Sequence, residues 1–196
     1  LSREAASRPA PDDWVYVHNF TTTHKPNAIR MPAGKGPAFR KEMEKLVEDL
    51  QAAITQAFEG EEYETQKHAI VQQVSESQEA KLEKMGKQAE KKGFTMVRTP
   101  AGLAFAPTTP GGETMSREVY DALPEEQQAH IDKGLESLNE ELQQVMRQVR
   151  QDERTGREAV RELDREVTTF AAKPLVEEII ERWNNVPETE EYLEAL

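Results

Sequence analysis

An apolar repeat with helical spacing runs through the second half of the sequence and constrains the fold more than any other feature. From Ile131 to Val149, apolar residues recur at gaps that alternate four and three. This spacing is the heptad seam of a helix that packs lengthwise on another helix. Asp152 and Gly156 take the next two seam positions, and the seam restarts one step late at Val160, which is the spacing of a stutter.

A second helical pattern covers residues 38–91. Its apolar residues recur every three or four positions, and this periodicity is interrupted at Gly60. The pattern ends in a lysine-rich turn before Gly93. The heptad seam predicts a partner helix over about 116–172, so the two helices are similar in length. We therefore expect a mainly α fold, a long antiparallel coiled-coil hairpin, with a small β-hairpin near its tip and a short β-strand and loop segment at the N-terminus.

The register of the two helices follows from placing a residue near Lys91 opposite one near Pro124 and stepping back equally along both helices. These steps place Gly60 opposite about Gly156, so both seams would falter at the same height, and Phe39 opposite Pro174. Proline removes a helical hydrogen bond and crowds the preceding turn. We therefore expect the second helix to break or kink at Pro174, with a separate terminal helix over 175–184.

The remaining segments divide the chain into three parts. A flank over 1–37 holds a short helical start, a predicted strand and a Pro/Gly loop, a helical domain follows, and a return flank ends the chain. The predicted boundaries are 1–7 for the helical start, 14–20 for the strand, 21–37 for the loop, 38–185 for the helical domain, 94–107 for its β-hairpin and 186–196 for the return flank.

The β-hairpin is predicted from two apolar runs on either side of a turn sequence. Pro100 and Gly102 suit the second and fourth positions of a type I turn with a glycine bulge. This turn pairs Arg98 with Leu103, Met96 with Phe105 and Phe94 with Pro107, and alternation places four large apolar side chains on one face. These are Phe94, Met96, Leu103 and Phe105. Either this face packs on the adjacent helix around 115–123, or it stays partly open and touches substrate or a neighbouring subunit.

Composition limits the partners and the compartment. The formal net charge of −12 disfavours nucleic acid and anionic membranes as partners. No apolar run approaches the roughly 20 residues that span a bilayer. The chain has no cysteine, which excludes disulfides and thiolate metal sites and favours a cytoplasmic location. Because the chain begins without methionine, we expect it to be a piece of a larger protein.

No pattern predicts a catalytic, cofactor or metal site in this chain. Lys35 is followed by Gly36 and Pro37, where a Walker loop needs a hydroxyl residue and the start of a helix. None of the four histidines has a partner at helical metal-ligand spacing. His18 and His24 could meet with Asp13, but a surface position is the expected outcome for both. The apolar stripes are expected to be packing seams.

The segments Asp13–Phe20 and Met31–Gly36 together resemble a motif of the Lon-related proteases in which a long helical insertion interrupts an AAA+ ATPase module. That family carries an Asp-Trp-x-Tyr-Val-x-Asn-Phe strand, a proline-rich loop and Leu-Pro-Ala-Gly-x-Gly, and Met31 replaces the leucine here. The matching residues are Asp13, Trp14, Tyr16, Asn19, Phe20, Pro32, Ala33, Gly34 and Gly36. Weaker matches extend the resemblance over most of the chain.

The resemblance implies that the chain is the inserted helical domain with short ATPase-side flanks. The parent would be a hexameric ATP-dependent serine protease, and its partners would be unfolded protein substrates rather than nucleic acid or membranes. In that family the nucleotide loop precedes the Asp-Trp strand and the Ser-Lys dyad follows the insertion. ATP, magnesium and catalysis would therefore belong to the parent, and this chain would hold no cofactor.

The alternative is a free-standing coiled-coil scaffold or adaptor without enzymatic activity. The Asp-Trp strand separates the two interpretations, because a free coiled coil has no sheet that this strand could join. Since most of that sheet would lie outside the chain, we expect the strand to be poorly ordered or paired with another copy.

Overall fold

The computed structural model describes residues 10–100 and 102–196, and the predicted helix over 1–7 lies outside them. Over these residues the chain is mainly α-helical, as predicted, with two antiparallel sheets of two strands each. The elements are β1 (Asp13–Val17), β2 (Asn27–Met31), α1 (Lys35–Phe58), α2 (Glu61–Lys91), β3 (Phe94–Thr99), β4 (Gly102–Pro107), α3 (Arg117–Asp121), α4 (Glu125–Trp183), a 3-10 turn (Pro187–Thr189) and α5 (Glu190–Glu194).

The chain divides into two compact units. One unit, here the terminal unit, comprises the chain up to Glu64 and from Leu163 to Leu196. The other, here the central unit, comprises Thr65–Glu162. Both α2 and α4 contribute residues to each unit.

The N-terminal strand finds its partner within the same chain. β1 ends at Val17, and the predicted loop over 21–37 contains β2 and the first residues of α1. Trp14 lies opposite Arg30 in the antiparallel pair, so the expectation that this strand is poorly ordered is wrong, whereas pairing of its other edge with another copy stays a prediction. The physical reason for the order is that Ile29 and Met31 alternate with exposed residues and are both buried.

The core of the terminal unit joins this sheet to α1 and to the end of α4. Phe39 is fully buried, and its ring meets Trp183 edge-on with 4.9 Å between centroids. Trp183 also donates its indole N–H to Glu42 at 2.9 Å. Phe39 therefore faces Trp183, and its predicted position opposite Pro174 is wrong. The buried cluster consists of Val17, Ile29, Met31, Phe39, Leu46, Ile179, Trp183, Val186 and Leu193.

Pro174 does not interrupt α4. The helix continues to Trp183 with Pro174 inside it, so the predicted break and the separate helix over 175–184 are both wrong. Proline forgoes one hydrogen bond and crowds the turn before it. Burial of Ile179 and Trp183 beyond the proline stabilises the helical path and offsets that cost.

The first helical pattern forms two helices and not one. α1 ends at Phe58 and α2 begins at Glu61, which is where the apolar repeat stumbles. Across this break the rings of Phe58 and Tyr63 meet edge-on with 4.8 Å between centroids. The Tyr63 hydroxyl donates to Asp164 at 2.8 Å, so α2 and α4 contact each other within the terminal unit.

In the central unit α2 and α4 run antiparallel, with a register that differs from the prediction. Lys81 forms an ion pair with Asp152, and this interaction lowers the pKa of the Asp152 carboxyl. Gly156 lies against Val74, since an added Cβ would be 2.6 Å from Cγ2 of Val74. The predicted pairing of Gly156 with Gly60 is therefore wrong. The supercoiled geometry of the helix pair stays a prediction.

The segment that joins α2 to α4 explains the shift in register. The first turns of α4 pack on the β3–β4 hairpin, where an added Cβ on Gly134 would lie 2.5 Å from Cζ of Phe94. The end of α2 consequently lies beside the interior of α4, and Lys92 reaches Glu141 at 2.8 Å. The predicted register was wrong because it paired the start of α4 with the end of α2, whereas the first turns of α4 pack on the hairpin.

Candidate functional site

The large apolar face of the β3–β4 hairpin is closed by the helices of the central unit. The strands pair in the predicted register, which is confirmed. Phe94 and Phe105 are buried, and Met96 and Leu103 pack against the same cluster. The cover comes from Met85, Ala89, Leu138 and Leu142 of α2 and α4, whereas the prediction placed it at 115–123. The alternative of an open Met/Phe patch is wrong for Phe94 and Phe105.

Three residues of the N-terminal motif join β1 to α1. The Asp13 carboxylate accepts the Gly36 N–H at 2.8 Å, at a helix start where N–H groups have no helical partner. Gly36 has no room for a side chain, because an added Cβ would lie 2.9 Å from Cβ of Asp13. Gly34 precedes the helix with φ of 83°, in the left-handed region. The carboxylate thus occupies the place where a phosphate would meet a glycine-rich helix start.

The other polar motif residues shape the turns on either side of β2. Asn19 accepts the N–H groups of Thr21 and Thr22 at 3.0 and 2.8 Å and donates to Asn27 at 3.0 Å. Together these bonds fix the β1–β2 connection. Pro32 and Ala33 form the turn into α1, with the Pro32 carbonyl accepting the Lys35 N–H at 3.0 Å.

Phe20 packs the β1–β2 connection against the C-terminal segment. Its ring stacks on Tyr192, with 6.0 Å between centroids and 22° between planes, and meets His18 edge-on at 5.0 Å. Tyr192 also contacts Phe39 of the core at 6.3 Å. Burial raises the pKa of the Tyr192 hydroxyl, so this side chain is neutral and acts by packing.

Trp14 and Tyr16 face away from the core. They are 62% and 73% exposed, and they alternate with Val15 and Val17, which pack on the core cluster. β1 pairs with β2 along one edge, and over residues 10–100 and 102–196 no strand pairs with its other edge. An aromatic strand face and a free backbone edge therefore lie side by side.

An open cleft of about 830 Å³, here the β1 cleft, runs between this strand and the first turns of α1. Met43 and Val47 of α1 line it together with Trp14 and Tyr16, and Val47 is 52% exposed. An apolar surface beside an unpaired strand edge suits non-covalent binding of an extended segment, because backbone groups give affinity and the cleft receives alternate side chains.

The described residues offer no metal site and no membrane span. Within this part of the chain, no three side chains of His, Asp or Glu come close enough to hold a metal ion. The structure therefore does not bring His18 and His24 together with Asp13 into such a group. No described helix is long and apolar enough to cross a bilayer.

Comparison with known proteins gave one finding on the family. No curated protein matches this chain. Residues 13–46 match the family model of the Lon-like LonC helical domain. The matched segment covers β1, β2 and the first half of α1, and so includes most of the residues that line the β1 cleft. The match therefore supports, for these residues, the resemblance to a Lon-like helical domain.

Proposed function

We propose that this chain is the helical domain of a Lon-like ATP-dependent serine protease of the cytoplasm. In this proposal the β1 cleft attaches the domain to the ATPase module, and the helices help to admit or hold unfolded substrates. The observation that carries the proposal is the coincidence of the family match over 13–46 with an exposed aromatic strand whose outer edge pairs with no strand among the described residues.

The physical argument for attachment starts from the cost of leaving such a strand uncovered. A free edge presents unpaired N–H and C=O groups and invites pairing with another strand. Tryptophan and tyrosine are also the side chains that most often anchor protein interfaces. Among the described residues Trp14 and Tyr16 belong to no buried cluster, so we expect a neighbouring module of the same parent protein to cover them. A free-standing scaffold would leave both exposed.

The parent protein supplies the chemistry in this proposal. The nucleotide loop, the magnesium site and the Ser-Lys dyad would lie in its other segments, and the parent would assemble as a hexamer. The central unit would act on substrates by contact and position, through its paired helices and the packed β3–β4 hairpin.

The test of attachment uses the full-length gene product, with Trp14→Ser and Tyr16→Ser combined. We expect degradation of unfolded casein to fall by about tenfold or more, which corresponds to the loss of one interface anchor. Phe170→Ser is the matched control, because Phe170 is 84% exposed and lies outside the cleft. Equal activity in the double variant and the control would contradict attachment at the β1 cleft.

The test of substrate handling replaces residues 65–162 of the full-length product with a short Gly/Ser linker. We expect casein degradation to be lost and cleavage of a short peptide to persist, because only the larger substrate must be admitted and held. Casein degradation at the unmodified rate would refute this role. A full-length product without an ATPase module or Ser-Lys dyad would favour the scaffold alternative.

A further inference from the structure

Part of the central unit consists of two helices that bury no side chain between them. Over 65–84 of α2 and 150–162 of α4, all within the described residues, every side chain is exposed or only half-buried. Met85 and Val149, just beyond these stretches, are buried. Two helices alone cover only one stripe of each other, so apolar residues beside that stripe remain open to solvent.

These open apolar residues form a groove of about 520 Å³ between the two helices. Its floor consists of Ile70, Val71, Val74 and Val160, and Val71 is 56% exposed. Gly156 shapes the groove, because it supplies no side chain and lets α4 approach Val74 closely. We call this surface the Gly156 groove.

Cations surround the Gly156 groove in a chain whose net charge is −12. Lys67, Arg157 and Arg161 line it, with Glu153 as the one carboxylate among its lining residues. Arg154, about one turn before Arg157 on the same helix, pairs with Glu158 at 2.9 Å. Within the described part of the chain, Arg157 and Arg161 form no ion pair. The groove therefore combines an apolar floor with two guanidinium groups that lack carboxylate partners.

We propose that the Gly156 groove binds an acidic amphipathic helix of a partner protein. Apolar side chains at helical spacing would seat on Val71, Val74 and Val160, and flanking carboxylates would pair with Arg157 and Arg161. This inference goes beyond the proposed function, because it assigns a partner class to the central unit and holds whether or not the parent is a protease.

A helix fits this groove better than a strand does. Both walls are α-helices whose backbone groups are bonded internally, so the groove offers no edge for strand pairing, whereas a third helix can lay its apolar face between two others. The residues that line one wall lie between Lys67 and Val74, a span of roughly 11–12 Å, which is enough for about two turns of a bound helix.

A second copy bound through the same groove is disfavoured. Such a symmetric contact would bring the arginines of both copies together, and like charges across an interface oppose association. The charge pattern thus selects a partner whose helix carries Asp or Glu beside its apolar stripe.

The experiment uses the intact chain and two fluorescein-labelled helical peptides. Both carry leucines at i, i+3, i+4 and i+7, one with glutamates on the flanking positions and the other with lysines there. Fluorescence anisotropy should show that the acidic peptide binds more tightly by about tenfold or more, and that salt weakens its binding. Equal affinity of the two peptides would overturn the proposal.

Matched variants locate the binding site. Arg157→Glu with Arg161→Glu should weaken binding of the acidic peptide by about tenfold or more, whereas Arg147→Glu with Arg150→Glu, at exposed positions of the same helix, should not. Val71→Ser should weaken binding, and Val119→Ser, at another exposed valine of the central unit, should not. Circular dichroism confirms that each variant is folded.

Two further results would overturn the proposal. One is equal loss of binding in the groove pair and the control pair of arginine variants. The other is a concentration-dependent dimer of the chain that Arg157→Glu with Arg161→Glu abolishes, because a second copy would then be the occupant of the groove.

Discussion

Single residues of the N-terminal motif divide into those that build the fold and those that face solvent. Asp13, Asn19 and Gly36 act on backbone groups of the neighbouring turns and helix. Trp14 and Tyr16 belong to no buried cluster that the structure describes, and both side chains are exposed. Residue type alone would place the aromatic pair inside and the carboxylate outside. The motif therefore places residues that build the fold and exposed aromatic residues at adjacent positions.

Asp13 gives a direct test of the structural role. Asp13→Ala removes the carboxylate that accepts the Gly36 N–H, and loss of a helix N-terminal acceptor costs about 1 kcal/mol of stability. Asp12→Ala is the matched control, because Asp12 pairs with the exposed Arg30, and such pairs contribute little. Urea unfolding followed through buried Trp183 measures both. Equal losses in the two variants would contradict the capping role.

Two glycines inside helices of the central unit predict opposite effects of the same substitution. Gly86 of α2 has open space where a Cβ would stand, with no neighbouring side chain within 4 Å, so Gly86→Ala should stabilise the unit by about 0.5–1 kcal/mol. Gly134 lies against buried Phe94, so Gly134→Ala should destabilise it by about 1–3 kcal/mol. Thermal unfolding compares them, and a shift in the same direction for both would refute the close contact.

At the scale of elements, periodicity predicted what depends on local sequence and missed what depends on distant packing. The register of β3 with β4 was predicted correctly because the turn sequence sets it, with Gly102 supplying the positive φ that the turn needs. β2 was missed because its two buried positions lie within a proline- and glycine-rich segment. The continuity of α4 through Pro174 was missed because it depends on Ile179 and Trp183 meeting a core that includes residues from the other end of the sequence.

The candidate site shows the same division. The sequence identified Trp14 and Tyr16 through the family resemblance, but not that they would be exposed beside a cleft, because the position of β2 and α1 decides which face of β1 is covered. The Gly156 groove had a signal in the sequence, namely a seam position occupied by glycine. The seam restarts one residue late after this glycine, which is a stutter. A stutter does not by itself predict a groove, since the depth of a groove depends on how closely the helices approach.

The β3–β4 hairpin is expected to be a stabilising element of the central unit. Phe105→Ala removes a buried aromatic side chain and should cost about 3–5 kcal/mol. Arg98→Ala, at an exposed position of the paired strand, should change stability by less than about 0.5 kcal/mol. Urea unfolding followed by circular dichroism measures both variants. A small effect of Phe105→Ala would show that the face is not packed as the structure has it.

At the scale of the molecule, the part of the chain that the structure describes has two separate buried clusters, one in each compact unit. This distribution agrees with the composition, because 36% hydrophobic residues is low for a chain with one large core. Much of the apolar surface lies instead along helix stripes that are only partly covered. Stability should therefore be local, with each cluster protecting its own elements.

Amide hydrogen exchange tests this division of stability. Phe39→Ala removes a fully buried ring from the terminal unit and should cost that unit about 3–5 kcal/mol. We expect exchange to accelerate across β1, β2 and α1, and to stay unchanged in β3 and β4, because Phe39 belongs to one buried cluster and the hairpin to the other. Leu138→Ala should produce the reverse pattern. Equal acceleration in both units after either substitution would show that the chain unfolds as a single cooperative structure.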